Sequence, residues 1–205
     1  MIFDIGRINM EYPITGVMHV GAFAGEELRH YRGLGLDNTI MFEPQPDLYN
    51  LVKQKLILNE KIYNVALGSQ KGEAEMYVST REGGVEQGSG ASSSLMKPKK
   101  HLTEHPDVFF TAAINVKVDT LDSYYQPGYN FLNIDVQGYE LEVLKGAVNI
   151  LPSIDAMILE VNRDEVYEGC PMVEDLDRFL SDFGFERVGT HWQSQSWGDA
   201  IYAKN

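Results

Sequence analysis

A chain of 205 residues can bury one good core, so a single domain over residues 1–205 is expected. Its 17 basic against 30 acidic residues give 17 − 30 = −13, a field that disfavours nucleic acid or an anionic membrane as general partners. Cys170 is the only cysteine, which rules out an internal disulfide and a cysteine-based metal cluster.

The composition, 43% hydrophobic and 23% charged, is that of an ordinary globular protein. The one local basic cluster is Lys97-Pro98-Lys99-Lys100. No apolar run approaches the roughly 20 residues needed to span a bilayer. The opening MIFDIGRINMEY carries acids early and lacks an apolar signal core, so no export signal is expected and the chain reads as cytoplasmic.

Residues 1–14 read as an entry arm in which Phe3, Ile5 and Ile8 pack a short helix onto the core. The stretch Thr15–Glu27, TGVMHVGAFAGEE, then runs from a buried strand (about 16–21) through Gly21 and Gly25 into a helix ending near Gly33. Glycine lets backbone approach a ligand closely, and the first helical N–H groups face whatever sits at such a corner. The spacing Gly-x-x-x-Gly is not the Gly-x-Gly-x-x-Gly that cradles a dinucleotide pyrophosphate. A ligand with a ribose and an adenine but no pyrophosphate fits better, and S-adenosylmethionine is the commonest of these.

Thr39–Phe42 is a second buried strand ending on Glu43-Pro44, and Pro46-Asp47 opens a helix with Leu48, Leu51, Val52 and Leu56 inward. Glu43 lies 22 residues beyond Gly21, placed to accept hydrogen bonds from both ribose hydroxyls. Ile62–Val65 reads as strand three. Glu73–Ser79 and Ala113–Val118 alternate and are expected to pair. Between them, 82–106 begins as a Gly/Ser-rich stretch and reads as a lid or a disordered loop. Asp119 or Thr120 caps a short helix. Tyr129–Ile134 is a strand ending on Asp135, followed by a Gly138 turn and a helix with Leu141, Val143, Leu144 and Ala147 inward. Ile154–Leu159 is a strand ending on Glu160. A helix over 173–182 and two antiparallel strands, Phe185–Val188 and Ala200–Ala203, close the chain.

Alternating strands and helices predict an α/β fold with a mostly parallel sheet, helices on both faces and an antiparallel C-terminal hairpin. Gly21, Glu43, Asp135 and Glu160 all stand at carboxyl ends of strands, where such sheets bind ligands.

The block Asn133-Ile134-Asp135-Val136-Gln137-Gly138-Tyr139-Glu140, continuing to Ala147, resembles the FkbM family of S-adenosylmethionine-dependent methyltransferases. His19-Val20-Gly21-Ala22, Phe42-Glu43-Pro44, the serine run before Leu95, Val118–Asp122 and Gly198-Asp199-Ala200 follow the same family's order. The resemblance implies a class I (Rossmann-like) methyltransferase sheet and O-methylation of a hydroxyl, often on a sugar or polyketide. It implies that Gly21, Ala22, Phe23, Gly25 and Glu26 hold the methionine part of the cofactor, and that Glu43-Pro44 meets the ribose. Asn64, Val65 and Ala66 fall where the adenine edge is read, and Ser92, Ser93 and Ser94 approach the cofactor. Asp135, with Val136, would border the transferring methyl. His19 departs from the pattern, standing where the family usually has an acid.

An activated sulfonium methyl mainly needs alignment and exclusion of water, while a sugar hydroxyl gains from a positioned base. Asp135 and Glu160 are the catalytic candidates, with His191 and Asp199 in reserve. No metal is expected, because no His/Asp spacing points to one. The expected partner is a small-molecule or glycan acceptor, with no nucleic acid or membrane, and the sequence does not set the oligomeric state. Two rival readings stand: an NAD-dependent oxidoreductase, and a non-catalytic nucleotide-binding module of the same fold.

Overall fold

The computed structural model describes residues 3–57 and 59–204. A short helix, α1 (Ile5–Glu11), is capped by Asp4, whose carboxylate accepts the Gly6 and Arg7 N–H groups. The chain continues through β1 (Val17–Val20), α2 (Leu28–Gly33), β2 (Thr39–Phe42), α3 (Pro46–Lys53) and β3 (Lys61–Tyr63). Next come β4 (Ala66–Leu67), β5 (Gly72–Thr80), α4 (His101–Glu104), β6 (Phe109–Asp119) and β7 (Phe131–Ile134). The last part holds α5 (Glu140–Lys145), β8 (Ala156–Asn162), α6 (Val173–Ser181), β9 (Phe185–Trp192) and β10 (Trp197–Lys204).

Seven strands form one sheet in the order β3-β2-β1-β7-β8-β10-β9. The first five run parallel, and β10 enters antiparallel between β8 and β9. The fold class read from the sequence is therefore the one observed. Strands buried on both faces explain why β1, β2 and β7 are apolar at all positions but His19, Thr39 and Asn133. On one face α1 sets Ile5 and Ile8 against Val17, Phe131 and Ile158, joined by Tyr31 of α2. On the other face Met18, Val20, Leu132, Ile134 and Leu159 pack with α5 and α6.

A second sheet, β4-β6-β5, stands apart, and its β5–β6 pair is the one expected from the alternating segments. Strand three was read as one run over 62–65. Instead β3 stays in the large sheet and β4 joins the small one. The crossing is held at Asn64, whose side-chain amide donates to the carbonyls of Glu43 and Pro44, both at 2.9 Å. Helix α2 starts at Leu28, later than its sequence pattern suggested. Left-handed backbone at Phe23 (φ 46°) and Gly25 (φ 71°) keeps the corner a turn.

Residues 82–106 are better tied than their Gly/Ser content implies. They contain a 3₁₀ turn (Val85–Gln87) and α4, and they bridge Ser94 to Tyr77 and Pro98 to Tyr167.

Candidate functional site

Sheet register brings the strand-end residues into one row. Gly21, Glu43 and Asp135 directly follow the paired ends of β1, β2 and β7. Asp199 of β10 is the register partner of both Glu160 and His191. A cleft of about 440 Å³ opens over this row, roofed in part by residues 85–95.

At Gly21 (φ 87°) an added Cβ would lie 1.8 Å from the Asp135 carbonyl oxygen, so only glycine lets β1 turn this close to β7. Glu43 is buried beneath that turn. One of its oxygens accepts the Phe23 N–H and the other the Gln45 N–H, each at 2.9 Å. Burial pushes its carboxyl up to about 7, with the Gln45 and Phe23 N–H groups pulling the other way. The Gln45 side chain also donates to the Gly90 carbonyl at 3.0 Å and accepts from the Ser93 hydroxyl at 3.2 Å. One glutamine thus pins the roof to the ribose candidate.

Among the other residues expected around a cofactor, Phe23, Glu26 and Pro44 line the cleft. So do Val65, Ala66, Ser93 and Val136. Ala22 and Gly25 lie outside the lining and shape the turn from behind, with Ala22 packed on Met41 and Val52. Asn64, Ser92 and Ser94 are also outside it. Asn64 holds the crossing, the Ser92 N–H donates to the Ser79 hydroxyl, and the Ser94 hydroxyl donates to the Gln137 carbonyl. These three act on the cleft wall rather than in the cleft.

Asp135 and Asp199 both line the cleft, while Glu160 is buried behind them and His191 is outside the lining. Gln137, in left-handed backbone (φ 58°), donates its amide to Asp135 Oδ1 and to Glu160 Oε2, both at 2.7 Å. Desolvation by the surrounding cleft walls raises the Asp135 carboxyl against the Gln137 donation, although the side chain itself opens on the cleft. Glu160 is raised well above the ordinary range by burial, then by the charges of Asp135 and Glu140. Asp199 is pushed up to about 6 by burial and then by Asp135, with Gln193 donating to it at 2.8 Å.

His19 lines the cleft beside the turn, 2% exposed. Its Nδ1 lies 3.2 Å from the Tyr31 hydroxyl, which itself accepts the Asn133 amide at 2.9 Å. The Tyr31 hydrogen is then free for Nδ1, which assigns the ring proton to Nε2. Burial lowers the pKa of this ring, so it is a neutral imidazole in a polar chain, not a charge in place of an acid.

Sequence reasoning missed Gln45, Gln137 and Tyr167. Gln137 stands inside the most specific block and Gln45 two residues past Glu43, so both had a positional signal. Tyr167, whose hydroxyl is 2.9 Å from Gln137 Oε1, had none.

Residues 19–187 match the model of the methyltransferase FkbM domain. The chain belongs to that family. It is 25% identical over 167 residues to the 2-O-methyltransferase NoeI of Sinorhizobium fredii, covering 78% of this chain and 68% of that protein. Among solved structures it resembles the FkbM methyltransferase of Methylobacillus flagellatus, with TM-score 0.61 and 14% identity. That match covers 93% of this chain but 43% of the other, so the chain spans less than half of that longer relative. The magnesium protoporphyrin IX methyltransferase of Synechocystis, solved with bound S-adenosylmethionine, superposes with TM-score 0.55 and 12% identity over 98% and 74% of the two chains. The fold is that of the class I S-adenosylmethionine-dependent methyltransferases. No helix among the described residues is long and apolar enough to cross a membrane.

Proposed function

We propose that the chain is an S-adenosylmethionine-dependent O-methyltransferase acting on a hydroxyl of a sugar or glycan-like acceptor. The observation that carries this reading is the single row in which Gly21, Glu43, Asp135 and Asp199 border one cleft. The residues present fit the cofactor. Glu43 Oε2 accepts only the Phe23 N–H and keeps a lone pair for a ribose hydroxyl, while Oε1 accepts the Gln45 N–H and, at 3.3 Å, the Gln45 side-chain amide, a longer contact that a second hydroxyl can displace. Val65, Ala66, Met76 and Leu95 give the cleft an apolar wall suited to a purine. The turn Gly21–Gly25, with Glu26, would hold the methionine part.

Bound there, the cofactor supplies a methyl group already activated on a sulfonium. The chain supplies the rest. Asp135 faces the cleft and takes the proton from the acceptor hydroxyl. Glu160, buried behind Asp135 and meeting it at the Gln137 side chain, is a positioning residue for the Asp135 carboxylate. No Lys or Arg is among the cleft-lining residues described, whereas Glu26, Glu27, Glu43, Glu86, Asp135 and Asp199 are. That lining favours a neutral polyhydroxyl over a phosphorylated or carboxylated acceptor. The relative's 2-O-methyltransferase name agrees with hydroxyl chemistry.

The test is transfer of labelled methyl from S-adenosylmethionine to a panel of neutral sugars, sugar phosphates, amines and thiols. Transfer to neutral hydroxyls is the expected result. Transfer confined to nitrogen, sulfur or anionic acceptors, or hydride exchange with NAD in its place, would overturn the reading.

A further inference from the structure

Behind the acceptor side of the cleft, three carboxylates converge more tightly than proton transfer requires. Asp135, Glu140 and Glu160 each offer an oxygen, and these lie within 4.8 Å of one another. Like charges at this spacing repel, so the cluster must take up protons or a cation. The Gln137 amide reaches only two of the three.

Glu140 makes the imbalance specific. One of its oxygens accepts the Val136 and Gly138 N–H groups, each at 3.1 Å. The other is fully buried and has no hydrogen-bond partner among the described residues. A buried carboxylate oxygen without a donor is costly, and a cation satisfies it where a donor does not.

The second observation lies outside the carboxylates. The Tyr167 hydroxyl sits 2.9 Å from both the Ser92 carbonyl and Gln137 Oε1. Both are acceptors and the hydroxyl has one hydrogen, so one contact lacks a proton. Turning the Gln137 amide by half a rotation exchanges its oxygen and nitrogen. Nε2 then donates to Tyr167, whose hydrogen goes to Ser92, while Asp135 and Glu160 give up the amide donor they have in the other orientation. The same rotation points Oε1 at Asp135 and Glu160, which is favourable when a cation, or a proton held by one of the acids, lies between them.

We propose that Asp135, Glu140, Glu160 and the Gln137 side-chain oxygen bind one divalent cation of the Mg²⁺, Mn²⁺ or Ca²⁺ type. An all-oxygen set selects hard cations over zinc or copper. Ligand oxygens within 4.8 Å of one another are close enough to share one centre, since 4.8 Å is about twice a Ca²⁺–oxygen distance of roughly 2.4 Å. Asp135 opens on the cleft, which gives the ion an entry path and leaves coordination positions facing the acceptor side. The site itself does not depend on the methyl-transfer reading, and its test needs only the chain and a metal.

The experiment is titration of chelator-treated full-length chain with Mn²⁺, followed by electron paramagnetic resonance, with thermal unfolding in Mg²⁺, Ca²⁺ or chelator alongside. One stoichiometric site and a higher melting temperature with cation are expected. Asp135→Asn, at the accessible position, should weaken binding by at least about 100-fold, since even residues behind the ligands cost 10–100-fold. Gln137→Leu, which keeps all three carboxylates, should also weaken it. Absence of a stoichiometric site in the wild-type chain would overturn the proposal without recourse to any variant. So would binding that both variants leave unchanged, since it would then belong to the acidic surface.

Discussion

Burial of Glu43 has a measurable consequence for stability. Its carboxyl is pushed up to about 7 from an ordinary 4.5, chiefly by burial. Below 4.5 both the folded and unfolded chain hold the proton. Between 4.5 and 7 the folded chain keeps a proton that the unfolded chain releases, so stability falls as pH rises. Above 7 the loss is complete. At roughly 1.4 kcal/mol per pH unit, that window amounts to about 3 kcal/mol from this one group. Glu43→Gln removes the titration and adds a constant cost. Its amide nitrogen must face either the Phe23 or the Gln45 N–H, a lost hydrogen bond of about 1–3 kcal/mol. The variant should therefore be less stable than wild type at pH 5 and close to it, or more stable, at pH 8. Urea denaturation of both chains at the two pH values is the assay. A stability difference that is the same at pH 5 and pH 8 would refute a buried, proton-holding Glu43.

Asp135→Asn should lower methyl-transfer turnover by roughly 10²–10⁴ while S-adenosylhomocysteine affinity changes little. Glu160→Gln, acting through Gln137, should lower turnover less, and single-turnover kinetics would rank the two. Tyr31→Phe strips the shared hydroxyl from His19 and Asn133, and should destabilise the chain by about 1–3 kcal/mol in chemical denaturation. Gln45→Ala releases the roof at Gly90 and Ser93, so hydrogen exchange over residues 85–95 should quicken. In the wild type the same residues should slow on adding S-adenosylhomocysteine.

The mostly parallel sheet was open to sequence reasoning because the buried strands carry largely apolar runs and the residues that follow them carry chemistry. Val17–Val20, Thr39–Phe42 and Phe131–Ile134 each end at a residue of the cleft. The family block around Asp135 supplied the identity that a Gly21–Gly25 turn alone could not. What stayed illegible depends on side chains meeting across long separations. Ser93 lines the cleft as its place in the serine run suggested, whereas the Ser94 hydroxyl donates to the Gln137 carbonyl and the Ser92 N–H to the Ser79 hydroxyl. Glu160 looks like a rim acid, yet β10 continues past it and leaves it buried beside Asp199. The Gly/Ser content of 82–94 suggested low order because local propensity carries no record of Gln45, which fastens it from far along the chain.

The proposed methyl transfer requires the Gly21–Glu43 corner to be a cofactor site. Titration calorimetry of the full chain with S-adenosylhomocysteine, with NAD as control, tests it most directly. Binding of one S-adenosylhomocysteine per chain and no heat with NAD is the predicted result. In folded Glu43→Ala the affinity should fall by about 1–3 kcal/mol, the loss expected for charge-assisted hydrogen bonds to a ribose. No binding of S-adenosylhomocysteine, or an unchanged affinity in the folded variant, would contradict it.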